Sequence, residues 1–323
     1  MKAMVVDTSG STATIVQRDI EAPRRGPGQV LIRVHAASVN RADLAVRAGT
    51  PGTPAVVGLD CAGTVAEADP GSGFRPGDRV MAVVSGGLAE QVVVDERMPI
   101  HLPAGWSFDQ GAAAVLALLT GHNALRTAGR LARGDFVLVN AARSGVGQST
   151  IRIAAALGAG RIVAGVRTVR DKAFLNELGA HVVVETGGGG FADAVLDATD
   201  GRGADVIVDH VGGPYLADHI AAAAVRGRIV SVGRLGGTQG SLDMNALALI
   251  RLEIIGVTFR TRDADEKAAV ARAVREELAD AIGRGHLDPR IDRVLDWSAV
   301  LVAHDGVASN SHLGKVVLRI TND

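Results

Sequence analysis

Three hundred and twenty-three residues, at about 150 per domain, correspond to two domains with enough chain for a large buried core. Apolar residues at 47% and charged residues at 21% exclude a disordered chain, and 34 Lys+Arg against 35 Asp+Glu give a net charge of −1 that attracts neither nucleic acid nor anionic lipid. Cys61 is the only cysteine, which excludes internal disulfides; with no apolar run near the roughly 20 residues of a membrane helix and no secretory h-region after Met1, a cytoplasmic location is expected.

From Met1 to about Gly111, short β-rich runs alternate with Gly and Pro turns. Strands are predicted at Val30–Val34, Gly63–Val65, Arg79–Val84 and Gln91–Val94, with turns at Arg24–Gly28 and Pro76–Asp78. The spacing leaves little room for crossover helices, so an antiparallel barrel or sandwich is expected. From about Ala112 strands and helices alternate. Predicted strands are Phe136–Asn140, Arg161–Val166, His181–Val184, Ala204–Asp209 and Arg228–Val232. Val146, Thr150, Ile153, Ala154 and Leu157 mark a helix ended by Gly158, and a second lies near Arg170–Leu178. Between Asp263 and Gly283, Val270, Val274, Leu278 and Ile282 form one helical stripe, with Asp263 and Glu266 spaced as a capping box. The last run, Lys315–Ile320, lies beyond these units and is free to return to the first domain. The fold class is therefore α/β, a β-rich domain followed by a doubly wound parallel sheet. Gly187–Gly190 reads as a loop.

The first chemical signal follows the strand that ends at Asn140. Ala141-Ala142-Arg143-Ser144-Gly145-Val146-Gly147 leads directly into a helix. Glycines without Cβ let backbone approach a pyrophosphate, and the helix N-terminus offers free N–H groups and a positive dipole end. The alternative is a tight βα turn that binds nothing. A dinucleotide site also needs a ribose reader after the second strand, an acid for a 2′-OH or an arginine for a 2′-phosphate. Here the run is Val166-Arg167-Thr168-Val169-Arg170, and Arg167 suits a bidentate phosphate contact. Its alternative is an exposed loop cation.

Several motifs in order resemble the zinc-independent quinone oxidoreductase (zeta-crystallin-like) branch of the medium-chain dehydrogenase/reductase superfamily. They are Ser38–Leu44, Val57–Val65, Pro76–Ala82, Ser144–Gln148, Leu178–Ala180, Asp209–Gly213 and His312–Leu318. The resemblance implies a GroES-like substrate domain over 1–115 and 290–323 and a Rossmann NADPH-binding domain over 116–289, with a cleft between them. It also implies a homodimer through the last Rossmann strand, about Leu252–Val257. The implied cofactor contacts are Asn40, Thr120, Ser144, Gly145, Val146, Gly147, Arg167, Thr168, Lys172, Val211, Gly233 and Arg234.

Zinc-dependent relatives carry a cysteine, a histidine and an acid where this chain has Asn40, Leu59 and Asp60. Leucine cannot coordinate, no four-cysteine lobe exists, and His304 and His312 are too far apart to pair, so no metal is expected. Other departures concern the pocket. Ala45, Leu88 and Thr186 stand where relatives often have tyrosines, the phosphate-site lysine falls at Asp171 beside Lys172, and the Gly49–Gly58 loop is short. Tyr215, the only tyrosine, reads as a helix-surface residue. Asn40 and Thr120 match positions beside the nicotinamide, where they would orient its ribose or the acceptor oxygen. His122 is the best titratable candidate for catalysis, its alternative being a helix histidine bonded to backbone. Cys61 reads as an inert core thiol and Asp60 as a structural acceptor at the domain junction.

The expected activity is NADPH-dependent hydride transfer to a quinone or an α,β-unsaturated carbonyl. Enoyl reduction in a biosynthetic pathway is the close alternative. A catalytically silent NADPH-binding structural or interaction protein is the alternative of another class.

Overall fold

The computed structural model describes residues 1–10, 13–48, 56–170 and 172–320. Most of the loop read as short (49–55) and Asp171 lie outside the described residues. By internal packing the chain divides into two units, Met1–Leu116 with Ala264–Glu277 and Asp288–Asp323, and Ala117–Asp263 with Leu278–Leu287.

The first unit opens with β1 (Lys2–Asp7) and β2 (Thr14–Asp19), then β3 (Gln29–Val39), α1 (Asp43–Arg47), β4 (Asp60–Glu67), β5 (Arg79–Val83), β6 (Gln91–Asp95) and β7 (Ile100–His101). Helix α2 (Phe108–His122) contains the division. The second unit runs β8 (Phe136–Asn140), α3 (Gly145–Ala156), β9 (Arg161–Val166), α4 (Lys172–Glu177), β10 (Val182–Glu185) and α5 (Ala192–Ala198). It continues through β11 (Ala204–Asp209), α6 (Leu216–Ala222), β12 (Ala223–Ser231), α7 (Met244–Leu249) and β13 (Glu253–Gly256). Helix α8 (Ala264–Glu277) groups with the first unit and α9 (Ala279–Gly283) with the second, and β14 (Ile291–Asp296), α10 (Val300–Ala308) and β15 (Lys315–Arg319) complete the first.

The second unit's sheet is parallel throughout, in the order β10-β9-β8-β11-β12-β13. Helices cover both faces of such a sheet, so Val137–Val139, Ile162–Ala164 and Val206–Val208 are buried as unbroken apolar runs. Strand order reverses between β8 and β11, the switch point at which open α/β sheets bind ligands beyond their carboxyl ends.

In the first unit a seven-stranded sheet runs β14-β15-β3-β4-β5-β7, with β6 also paired to β3. All its pairs are antiparallel except β14 with β15. Strand β15 returns to β3 with Val316 opposite Val39 and Val317 opposite Ser38. Continuing that register brings Lys315 beside Asn40. Met4, Val39, Leu88, Trp297, Val307 and Leu318 belong to the core that closes one face.

One sequence expectation changes. The stripe from Asp263 to Gly283 is two helices, because the chain turns at Leu278 (φ −109, ψ −1) while its side chain keeps the apolar register. Helix α8 packs with the first unit. Arg275 Nη1 donates to the Arg97 and Pro99 carbonyls at 2.8 and 3.1 Å, and Arg97 Nη1 donates to Asp265 at 2.6 Å.

Candidate functional site

The residues that carry chemistry fall into two groups, one in each unit. In the second unit, β8 delivers the chain to Asn140 and α3 begins within five residues. Ser144 is the N-cap of α3, extended at φ −69 and ψ 156, and its hydroxyl accepts from Gly147 N at 3.0 Å. A Cβ on Gly147 would lie 2.4 Å from Ala141 O and 2.9 Å from Ala142 Cα. Only glycine allows the helix to start so close to the strand exit. Gly145 and Val146 form the first turn, where helix amides point outward and suit an anion.

The exit of β9 lies in the same sheet. Arg167 and Thr168 are exposed there, and among the described residues Arg167 makes no side-chain hydrogen bond or ion pair. Its backbone is held from the next strand. Thr186 Oγ1 donates to Val166 O at 3.1 Å, Val169 N donates to Glu185 Oε2 at 2.9 Å, and a Cβ on Gly187 would lie 2.1 Å from Arg167 O. The Thr186 hydroxyl is thus engaged with backbone. Lys172 is exposed at the start of α4.

Beyond β11, Asp209 Oδ1 accepts from Val211 N and Gly212 N at 2.8 and 3.0 Å. Gly212 sits at φ 94, in the left-handed region. Gly233, after β12, approaches His210 so closely that a Cβ would lie 2.6 Å from its carbonyl oxygen, and Arg234 beside it is exposed. Val211, Gly233 and Arg234 therefore share the carboxyl edge of the sheet with the glycine loop. Beneath lies a buried polar layer in which Asn140 Nδ2 donates to His219 Nε2. That bond places the His219 proton on Nδ1, 4.0 Å from Asp209 Oδ2. Burial pushes the His210 imidazole down to about 4.

Thr120 is half-buried near the end of α2, and His122 is buried, with 1% of its surface exposed. The helix passes there into a π-helical segment, Asn123–Ala128, a deformation frequent at functional sites. Tyr215 is not a helix-surface residue. It precedes α6 in a 3₁₀ turn and packs edge-on against Phe191 and His219, with ring centroids at 5.1 and 6.0 Å.

In the first unit, Ser38, Asn40, Asp43, Asp60 and Lys315 form a buried polar cluster. Asp60 accepts from Ser38 N at 2.6 Å, Ser38 Oγ at 2.5 Å and Asn40 Nδ2 at 2.7 Å. Lys315 Nζ donates to Asn40 Oδ1, and Asn40 N donates to Asp43 Oδ2 at 2.7 Å. Burial pushes the Asp60 carboxyl up and the Lys315 ammonium down, while their mutual attraction opposes both shifts. Burial raises Asp43 to about 7, with the neighbouring Asp60 charge adding to it. Cys61 is buried and its thiol pushed up by desolvation, as expected of an inert core thiol. Leu88 lies in the core and Ala45 is exposed on α1, so neither position offers a hydroxyl.

The sequence reading missed Lys315 and Asp43 as site residues, and Asp209 as the brace of the Val211 turn. For Lys315 the one available signal was its place directly before the apolar run Val316–Leu318.

Comparison with known proteins gives these arrangements a context. Residues 26–104 match the alcohol dehydrogenase GroES-like domain and residues 145–275 match the zinc-binding dehydrogenase family. The chain is 30% identical over 324 residues to quinone oxidoreductase of Rattus norvegicus, covering 97% of this chain and 96% of that protein. It is 31% identical over 300 residues to part of the pikromycin polyketide synthase component PikAII of Streptomyces venezuelae, covering 91% of this chain and 8% of that protein. A mycobacterial protein solved in complex with NADPH has a TM-score of 0.86 at 28% identity, over 99% of each chain. Fold and full-length similarity together define an α/β oxidoreductase with GroES-like and Rossmann parts. The chain belongs to the quinone oxidoreductase branch of the medium-chain dehydrogenase/reductase superfamily.

The zinc of that second family description does not fit the residues present. Asn40 is held between Lys315 and Asp60, Leu59 has no donor atom, and no three His, Cys, Asp or Glu residues gather as a metal group among the described residues. A dinucleotide phosphate fits better, because Arg167 is exposed without a partner among the described residues and the Ser144–Gly147 turn opens a helix of 12 residues.

Proposed function

We propose that the chain reduces quinones or α,β-unsaturated carbonyls with NADPH and without zinc. The observation that carries this reading is that the capped glycine turn and the exposed Arg167 follow the carboxyl ends of the neighbouring strands β8 and β9, which suits a diphosphate and a 2′-phosphate. When bound, the nicotinamide supplies the hydride. Gly145, Val146 and Gly147 present the α3 N-terminus to the diphosphate, and Ser144 holds that turn in shape. Arg167, with Thr168 and Lys172 nearby, takes the 2′-phosphate. Val211, Gly233 and Arg234 line the cofactor's path along the sheet edge, and Asn40 and Thr120 fix the nicotinamide end. The likeness to the NADPH-bound mycobacterial protein and to rat quinone oxidoreductase supports the assignment.

A quinone takes its protons readily from water, whereas an enone leaves an enolate whose carbon must be protonated. Burial of His122 favours water as that source. Enoyl reduction within a biosynthetic pathway is the second reading, favoured by the similarity to a segment of a polyketide synthase component.

A homodimer through β13 completes the proposal. Val225, Leu235, Leu242, Met244, Leu249 and Ile254 are exposed apolar residues within 30 positions of one another, and β13 is the sheet edge.

NADPH consumption against a panel of quinones and enones tests the activity. Tight NADPH binding with no turnover of any acceptor would refute it in favour of a silent binding protein. On enones, a selective loss of about 10²- to 10⁴-fold in His122→Ala identifies His122 as the acid, and unchanged rates identify water.

A further inference from the structure

Resting on the reading of Asn40 as a nicotinamide-side residue, we propose that Lys315 and Asp60 are positioning residues. They hold the Asn40 carboxamide in one orientation and leave it only a hydrogen-bond acceptor toward the ligand. A carboxamide has two donor hydrogens and an oxygen with two lone pairs. Asn40 Nδ2 donates to Asp60 Oδ2 at 2.7 Å and to Ser38 O at 3.2 Å, so both hydrogens are engaged. Oδ1 accepts from Lys315 Nζ and keeps one lone pair. Turning the amide over would set its NH2 against the Lys315 Nζ donor and its oxygen against an Asp60 carboxyl that already accepts from Ser38 N and Oγ, so these two contacts fix its sense.

The braces are themselves fixed. Asp60 is anchored by Ser38 N and Oγ, and Asp43 holds the Asn40 backbone. Lys315 is delivered by the register of β15 on β3. A group that meets Asn40 must therefore bring its own hydrogen, as a ribose hydroxyl or a carboxamide N–H does. The carbonyl oxygen of a quinone or enone brings none, so Asn40 orients the cofactor and does not polarise the substrate.

The test is a double-mutant cycle read in NADPH affinity, by fluorescence titration of the chain without acceptor. Asn40→Ala removes one neutral hydrogen bond and is expected to weaken NADPH about 2- to 12-fold. Lys315→Met frees the amide to rotate and is expected to give a loss of the same size. The double variant is expected to be no weaker than either single one, and NADH is expected to show the same pattern. Losses that multiply in the double variant, or an unchanged affinity in Lys315→Met, overturn the proposal, since a merely structural lysine would act whether or not Asn40 is present. Thermal unfolding reports folding, and if Lys315→Met does not fold, Lys315→Met with Asp60→Asn preserves the cluster's net charge and reads the same cycle. Wild-type chain that binds no NADPH overturns the functional reading and this proposal with it. Wild-type binding with a failed cycle overturns the proposal alone.

Discussion

Arg167→Ala tests whether this side chain sets the choice between the two nicotinamide cofactors. The side chain is exposed and, among the described residues, has no hydrogen bond or ion pair to lose. Its backbone position is kept by the Thr186 hydroxyl on Val166 O and by Glu185 on Val169 N, neither of which involves the guanidinium. The variant is therefore expected to unfold at the wild-type temperature. The effect falls on the ligand alone. A charge-assisted bond to a phosphate contributes roughly 1.5–3 kcal/mol, so NADPH affinity is expected to fall about 10- to 100-fold. NADH lacks the 2′-phosphate and is expected to bind as before. Because the pair is exposed, raising the salt concentration should weaken NADPH binding more in wild type than in the variant. Fluorescence titration with both cofactors at two ionic strengths is the assay. Equal losses for NADPH and NADH would refute the reasoning, for they would make Arg167 a structural residue.

Gly147→Ala is expected to weaken both cofactors alike and to lower stability by about 1–3 kcal/mol, as backbone shifts do where a Cβ would meet Ala141 O at 2.4 Å; cofactor titration and denaturant unfolding measure the two losses. Purified protein is expected to carry no stoichiometric zinc and to keep its activity in EDTA, and elemental analysis finding one zinc per chain would contradict the reading of Asn40, Leu59 and Asp60. His304 is fully buried with neither ring nitrogen hydrogen-bonded among the described residues, and burial, aided by the Arg47 charge, lowers it from 6.5 to about 4. The folded value lies below the unfolded one, so its share of stability is complete above pH 6.5 and is lost as pH falls toward 4. Asp43, raised from 3.8 to about 7, acts in the opposite sense, its contribution being lost as pH rises through 7. Comparing His304→Leu with wild type removes that offset, and the two stability curves are expected to diverge by about 1.4 kcal/mol per pH unit between about pH 6 and 4.5.

The parallel sheet was legible because its strands are buried on both faces, which leaves apolar runs such as Phe136–Val139 that need no partner to be recognised. The glycine turn was legible for a related reason: its chemistry lies within seven consecutive residues. Strand β14 was not, because Ile291–Asp296 mixes charged and apolar residues at the edge of its sheet. The break between α8 and α9 was hidden by Leu278, whose side chain continues the stripe while its backbone leaves the helix. Lys315 and Asn40 are 275 residues apart, and only the pairing of β15 with β3 makes them neighbours. Local pattern cannot report a contact of that kind.

Lys315 and Arg167 show how burial decides what a positive charge does in this chain. Lys315 is desolvated, which lowers its pKa against the pull of Asp60 and Asp43, and its Nζ donates to the Asn40 oxygen. Substituting a buried polar group of this kind costs stability as well as any ligand contact. Its substitution must therefore be read through a cycle, where stability and ligand effects separate. Arg167 is exposed to water, and nothing in the described fold leans on its side chain. Its substitution is read directly in affinity. The two cations therefore call for different assays: the buried one a cycle against Asn40, the exposed one a direct comparison of NADPH with NADH.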